Sequence, residues 1–360
     1  MQRSGVHFYI VAIVMLAAWQ PCLADNALSN VGSKWDRTEK ETDAAFTKYQ
    51  RVQQKTWDET RQRVLKKWSD GKLPQEKIYV EYFDGDSARV KVDYENGQVM
   101  VEALLDPKDA SSAVRAAKYK ISKALSEVIS SDLASTSAVL SADEISETTR
   151  SVKDLTAALS SDVESKGVEH GGDGQERSLY RVTFELVPDH VKRRAAKYKP
   201  TVEVWAKKYN LDAAFILAIM RQESAFNPRA RSWVGAIGLM QIYPPYAGKE
   251  VFKIVKHRDT TPSDDFLYDP QNNIMMGATF LQILRDRYFA DIKDKDKQRY
   301  LITCGYNWSA GRLRTAIANG RLSIRAPATE VFHSLEKIIP DETKGYLNRV
   351  TRFTREFRGD

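Results

Sequence analysis

Two periodicities divide the chain. Between residues 77 and 105 apolar and polar side chains alternate: Ile78-Tyr79-Val80-Glu81-Tyr82-Phe83, then Ala88-Arg89-Val90-Lys91-Val92-Asp93-Tyr94, then Val99-Met100-Val101-Glu102-Ala103-Leu104. Asp84-Gly85-Asp86 and Asn96-Gly97 separate the runs. A period of two belongs to a half-buried strand, and Asp-Gly and Asn-Gly favour tight hairpin turns, so the pattern predicts a three-stranded meander. Tyr180, Val182, Phe184 and Leu186 predict one more strand over 178–187, ended by Pro188. Before the meander, Trp35, Phe46, Trp57, Val64 and Leu65 are spaced like one face of a helix in a charged segment, residues 25–70. Residues 108–160, rich in Ala, Ser, Lys and Leu, read as two helices. Gly167 to Gly174 reads as a flexible loop, and it lacks the Gly-Lys-Ser/Thr ending of a phosphate-binding loop, which argues against a nucleotide site there.

From Asp189 onward the strand pattern stops and helical spacing takes over. Candidate helices cover roughly 190–208, 212–226, 244–256, 271–289, 297–306, 310–319, 328–336 and 343–357. The expected class is α+β, with a small N-terminal α+β accessory domain over 25–187 followed by an all-helical domain over 188–360. The first 24 residues read differently. Arg3 is followed by an apolar run from Phe8 to Ala18, the breaker Pro21, and Cys22-Leu23-Ala24 with small residues at −3 and −1 of a cut before Asp25. That is the layout of a secretory signal peptide, and its apolar run is shorter than the ~20 residues of a membrane span. Cleavage there leaves Cys304 as the sole cysteine, so no internal disulfide is expected. Its place in Leu301-Ile302-Thr303-Cys304-Gly305 suits a small core residue.

Charge sharpens the contrast between the halves. Residues 25–187 hold 24 Lys and Arg against 29 Asp and Glu, a net of −5. Residues 188–360 hold 30 against 19, a net of +11. The second half therefore favours an anionic partner. Export and the lack of a nucleic-acid-binding motif argue against nucleic acid. His7, His170, His190, His257 and His333 show no ligand spacing, so neither a metal nor another cofactor is expected.

The chemistry concentrates in 211–228. Phe215, Ile216, Ile219 and Met220 define an apolar helix face, and Glu223 lies at i+4 from Ile219 and i+3 from Met220. A carboxylate continuing such a face has its acid form favoured by desolvation. Moving a glutamic acid from ~4.3 to ~6 costs about 2.3 kcal/mol, tolerable where a proton donor is needed near neutrality. By itself the helix leaves a structural glutamate equally open. Gly238, Met240 and Gln241 follow in Gly235-Ala236-Ile237-Gly238-Leu239-Met240-Gln241-Ile242, where glycines allow close backbone approach and Gln241 offers a donor and an acceptor. Tyr306-Asn307-Trp308-Ser309-Ala310-Gly311 and the i,i+4 pair Glu342 and Tyr346 come later.

Taken in order, Glu223-Ser224, Gly238-Leu239-Met240-Gln241, Tyr306-Asn307 and Glu342-Thr343-Lys344-Gly345-Tyr346 resemble the motif series of family 1 lytic transglycosylases, which share a fold with goose-type lysozyme. Asp269-Pro270 and Asn273-Ile274 fit the segment between the second and third motifs. The resemblance covers about 170 residues. It implies a lysozyme-like helical catalytic domain that cleaves peptidoglycan glycan strands. It also implies Glu223 as acid and base, with Ser224, Gly238, Met240, Gln241, Tyr306, Asn307, Glu342 and Tyr346 forming the substrate site. One carboxylate then serves both steps, with the substrate's own 6-hydroxyl as nucleophile and a 1,6-anhydro sugar as product. A lysozyme-type hydrolase on the same fold and a non-catalytic wall-binding protein are the alternatives. The expected location is the periplasm, with association to the outer membrane or to wall-synthesis proteins left open. Trp19-Gln20-Pro21 before Cys22 lacks the small residues of a lipidation site, unlike the lipoproteins of this family.

Overall fold

The computed structural model describes residues 27–106, 112–130, 132, 135–146 and 151–359, with side chains from Phe46 onward. The expected signal peptide and the side chain of Trp35 lie outside these. The chain divides into two compact units, residues 47–277 and residues 1–46 with 278–360.

The first unit is built on an antiparallel sheet. Helix α1 (Ala27–Leu65), of which residues from 47 onward belong to this unit, leads to the meander β1 (Ile78–Phe83), β2 (Ala88–Asp93) and β3 (Gln98–Leu105). Then come α2 (Ala113–Val128), a short parallel pair β4 (Ile129–Ser130) and β5 (Leu140–Ser141), α3 (Ala142–Ile145) and α4 (Val152–Ser161). Strands β6 (Glu164–His170) and β7 (Glu176–Glu185) complete a sheet of order β1-β2-β3-β7-β6. Register sets Val90 opposite Val101 and Val101 opposite Val182, so one face is a continuous apolar row. Ile121, Leu125 and Val128 of α2 share a buried cluster with that row. The alternation turns Arg89 and Glu102 to the other face, where Glu102 is 1% exposed. Burial alone would raise the Glu102 carboxyl, but Arg89, Lys72 and Arg181 hold it below its usual range. Arg89 in turn lies over the Trp68 ring at 4.0 Å.

Strand β6 corrects the loop expected over Gly167–Gly174. Its sequence Glu-Ser-Lys-Gly-Val-Glu-His has no apolar alternation, and most of it is exposed. Backbone pairing with β7 makes it a strand, and the turn shrinks to the residues between His170 and Glu176.

The rest of this unit is helical: α5 (His190–Tyr209), α6 (Ala213–Ser224), a π-helical turn Pro244–Gly248 running into α7 (Lys249–Lys256), α8 (Asp264–Tyr268) and α9 (Pro270–Ile283), inside which the unit ends. These helices are bolted to the sheet region. Arg194, 1% exposed, donates to Glu144 Oε2 at 3.2 Å and to the Phe226 carbonyl at 3.0 Å, and lies over the Tyr94 ring at 4.0 Å. Lys197 donates to Glu144 Oε1 at 2.6 Å. Asn227 Nδ2 donates to the Glu76 carbonyl at 3.1 Å.

The second unit continues through a π-helical turn Leu284–Tyr288, α10 (Lys295–Cys304), a π-helical turn Gly305–Ser309, α11 (Ala310–Ala318), α12 (Ala328–Ile338) and α13 (Asp341–Arg358). Leu301, Leu313, Val331, Leu335, Leu347 and Val350 are buried in it. Cys304 is a free, fully buried thiol whose ionisation burial pushes up, as expected of an inert core residue.

Candidate active site

Helix α6 starts at Asp212, whose carboxylate accepts from the Ala214 amide at 2.9 Å. From Ala214 to Met220 every residue is buried, so the helix is held on all sides. Glu223 comes in its last turn. The expectation put the carboxylate on the buried face. The structure instead places Glu223 at its border, half-buried, while Ser224 takes the fully buried position. The helix ends one residue later, and that ending is strained. Ala225 has φ 48° and Phe226 φ 62°, both left-handed without being glycine. Such backbone costs on the order of 1–3 kcal/mol per residue and persists where its surroundings over-determine it. Here Arg194 holds the Phe226 carbonyl, and the Asn227 amide donates to the Ser224 carbonyl at 3.0 Å.

The Ser224 hydroxyl is shared between the Met220 carbonyl at 3.1 Å and the Leu239 carbonyl at 2.8 Å. The second bond fastens the Gly238–Gln241 turn to the residue beside Glu223. Ser224 is 0% exposed, so it acts by holding that turn and is sealed from contact with a ligand. Gly238 is likewise buried and structural. Its φ is +77°, and an added Cβ would stand 2.3 Å from Asn273 Nδ2 and 2.6 Å from the Leu267 carbonyl. Met240 is fully buried, and an added Cβ at Gly277 would stand 2.2 Å from its sulfur.

Gln241 differs from these neighbours. It also adopts a left-handed φ, 46°, and its Nε2 donates to the Gly238 carbonyl at 3.0 Å. Its Oε1 is buried with no hydrogen-bond partner among the described residues. An unmet buried acceptor costs roughly 1–3 kcal/mol and calls for a donor from elsewhere.

Asn273, noted in the sequence only as fitting a motif segment, is the hub of this turn. It is 0% exposed. Its Oδ1 accepts from the Met240 amide at 2.8 Å, and its Nδ2 donates to the Ile237 and Leu267 carbonyls at 2.9 and 2.8 Å. The signal available was an amide directly before the apolar run Ile274-Met275-Met276-Gly277-Ala278. Arg194, Tyr49 and Gln53 also escaped the sequence reading. Tyr49 donates to the Gly235 carbonyl at 2.9 Å, and Gln53 Oε1 accepts from Arg231 Nε at 3.2 Å. Nothing local marks these residues, because their partners lie far along the chain.

In the second unit Tyr306 and Asn307 share the π-helical turn Gly305–Ser309. Gly305 and Ser309 are buried, while the wide turn leaves Tyr306, Asn307 and Trp308 half-buried. The Tyr306 ring is 5.4 Å from that of Phe280. Arg312 lies 5.6 Å from the Trp308 ring. Glu342 and Tyr346 are one turn apart on α13. Glu342 is exposed in its first turn, whereas Tyr346 is 3% exposed and part of the core. Among the described residues no group of His, Cys, Asp and Glu is arranged to hold a metal ion.

Residues 200–324 match the Transglycosylase SLT domain family. The chain is 31% identical over 298 residues to a protein of Mannheimia succiniciproducens named membrane-bound lytic murein transglycosylase C, covering 78% of this chain and 82% of that one. It is 30% identical to the protein of the same name from Glaesserella parasuis, covering 81% and 83%. A Yersinia enterocolitica protein of that name is 37% identical over half of the chain, 50% of this one and 52% of the other. Among solved structures, the 70-kDa soluble lytic transglycosylase of Escherichia coli is 31% identical with a TM-score of 0.39, covering 48% of this chain. The chain spans about a quarter of that structure, 26% of its length.

Proposed function

The chain belongs to the family of membrane-bound lytic murein transglycosylase C, and from that premise we propose that Glu223 is its one catalytic acid and base. The protein is a peptidoglycan lytic transglycosylase. The observation that carries the role of Glu223 is the Ser224–Leu239 bond of 2.8 Å. It fastens the end of α6 to the turn that presents Gln241, so a half-buried carboxylate and an unmet acceptor belong to one rigid assembly.

In this reading Glu223 protonates the glycosidic oxygen between N-acetylmuramic acid and N-acetylglucosamine. The N-acetyl group of the muramoyl residue assists at the anomeric carbon. Glu223, now a carboxylate, takes the proton of the muramoyl 6-hydroxyl, which attacks the same carbon and closes a 1,6-anhydro ring. The nucleophile is tethered, so high effective molarity replaces activation of water. A glycosidase with two carboxylates would place the second one across the scissile bond. Glu342, the other acid of the motif series, is exposed on α13 and is assigned a supporting role. Gln241 Oε1 accepts from a substrate N–H or O–H, and Tyr306 and Asn307 hold the sugar. Ser224, Gly238 and Met240 support Gln241 from buried positions, and Tyr346 belongs to the buried core of its own unit.

Residues 188–360 carry the motifs, and 25–187 form the accessory domain. No described helix is long and apolar enough to cross a membrane. The named relatives are membrane-bound proteins, and the reading for this chain is an exported protein working in the periplasm at the membrane.

The test is Glu223→Gln on purified sacculi in ¹⁸O water. Removing general acid–base catalysis typically costs ~10²–10⁴-fold in rate, and one residue serving both steps puts the loss at the upper end. Wild-type products should carry anhydro ends without label. Labelled reducing ends would establish a hydrolase, and full activity of the variant would remove Glu223 from the mechanism.

A further inference from the structure

Helix α1 lies outside residues 200–324, yet its face is wired to the segment leading into Gln241. Tyr49, Gln53 and Trp57 recur at i, i+4 and i+8, one stripe that runs about 12 Å along the axis. Each meets residues of 231–246. Tyr49 stands edge-on to Tyr243, centroids 5.4 Å apart, and Tyr243 stacks on Tyr246 at 5.6 Å. Gln53 holds Arg231. Trp57 stacks on Trp233 at 5.9 Å with 23° between the planes. Gly235 has φ +93°, and an added Cβ there would stand 2.6 Å from the Tyr49 ring and 2.8 Å from Gln53, so the hairpin backbone lies directly against these side chains.

Trp233 is 55% exposed, while Trp57 beneath it is 6% exposed. A large indole left in water is common enough singly. One held flat by a second, buried indole is a platform. The Trp57 Nε1–H has no acceptor among the described residues, leaving a donor beside it unmet. The Ser232–Gly235 turn that carries Trp233 is closed by the Gly235 amide on the Ser232 carbonyl at 2.9 Å and the Ser232 amide on the Ala236 carbonyl at 3.0 Å. Bridges from Arg231 to Ile237 and from Ile237 to Ile242 make this hairpin continuous with the turn bearing Gln241.

We propose that the aromatic row Tyr49–Tyr243–Tyr246 and Trp57–Trp233 is an extended track for the glycan strand, with Trp233 as its stacking platform. The inference rests on the reading of the substrate as a glycan. Pyranose rings suit such a track because their axial C–H bonds carry partial positive charge and meet the negative faces of aromatic rings. The N-terminal helix thereby contributes to substrate binding outside the matched domain.

The probe is an N-acetylglucosamine hexamer, titrated calorimetrically into the full chain carrying Glu223→Gln. Adding Trp233→Ala should weaken binding about three- to tenfold, a ring-stacking contribution at the upper end of its usual range. Trp233→Tyr should recover most of the loss, which a purely structural role would not predict. Tyr119→Ala, an exposed ring on α2, should change nothing. On sacculi, Trp233→Ala in the otherwise wild-type chain should raise KM more than it lowers kcat. Hexamer binding equal in the Trp233→Ala chain and its parent, or no binding by the parent, overturns the track. If the wild-type chain still releases anhydro-ended fragments in that case, the catalytic reading stands and only the track falls. A wild-type chain that cleaves no sacculi would defeat the catalytic reading instead.

Discussion

Replacing Asn273 by alanine is expected to loosen the whole turn that presents Gln241. The side chain is fully buried and makes three hydrogen bonds to backbone: from the Met240 amide at 2.8 Å, to the Ile237 carbonyl at 2.9 Å and to the Leu267 carbonyl at 2.8 Å. Alanine leaves the Met240 amide and the Leu267 carbonyl buried and unpaired, while the Ile237 carbonyl keeps the Ile242 amide at 3.0 Å. At about 1 kcal/mol or more for each orphaned group, the loss is at least ~2 kcal/mol, before counting the cavity. Against a typical stability of ~5–15 kcal/mol this lowers the urea midpoint clearly while leaving a folded chain to assay. The slope of the urea transition should stay constant, because the surface exposed on unfolding is unchanged. Catalysis should fall as well, measured at a temperature where the variant is fully folded, because Met240 and Gln241 lose their anchor. Asn273→Asp keeps the acceptor for Met240 but points a carboxylate at two carbonyls, so it should be worse than alanine. An alanine variant within 0.5 kcal/mol of wild type (the scatter of ordinary surface substitutions) and with full turnover would refute the hub.

Gly238→Ala should destabilise by more than about 2 kcal/mol in chemical denaturation, since it combines a left-handed φ of +77° with a Cβ placed 2.3 Å from Asn273 Nδ2. Glu144→Gln strips the anion from Arg194 and Lys197 and should cost about 3–5 kcal/mol, read as a lowered melting temperature. A chain beginning at Asp189 loses the same partners and uncovers Ala225, which packs in the sheet cluster, so it should melt lower still. Burial pushes the His190 imidazole below its usual 6.5, with the Arg194 charge acting in the same direction. The unfolded chain then binds the extra proton first, so stability is fully present above about pH 6.5 and is lost as pH falls through the lowered value. Denaturation midpoints followed downward from pH 7.5 should show this loss, and His190→Gln should flatten it.

Much of this protein is legible residue by residue. Alternation located β1, β2, β3 and β7, and 3.6-residue spacing located α5, α6 and α10 to α13, because each pattern records which side of one element faces the interior. The motif series marked Glu223, Gln241, Tyr306 and Asn307 by residue type and order alone. Strand β6 was illegible, since an exposed edge strand is defined by its partner's backbone and its own side chains carry no period. So was the exchange at the end of α6. Periodicity placed Glu223 on the buried face, but the left-handed residues Ala225 and Phe226 break the helix there, and the buried position goes to Ser224. The rigid frame of the site depends on contacts between distant residues: Tyr49 with Gly235 across 186 positions, Asn227 with Glu76 across 151, Arg194 with Phe226 across 32. No short window of sequence encodes such contacts. A hydrogen bond forms between groups that the packing of the entire chain happens to bring within 3 Å, so only the tertiary structure could decide which polar side chains hold this frame.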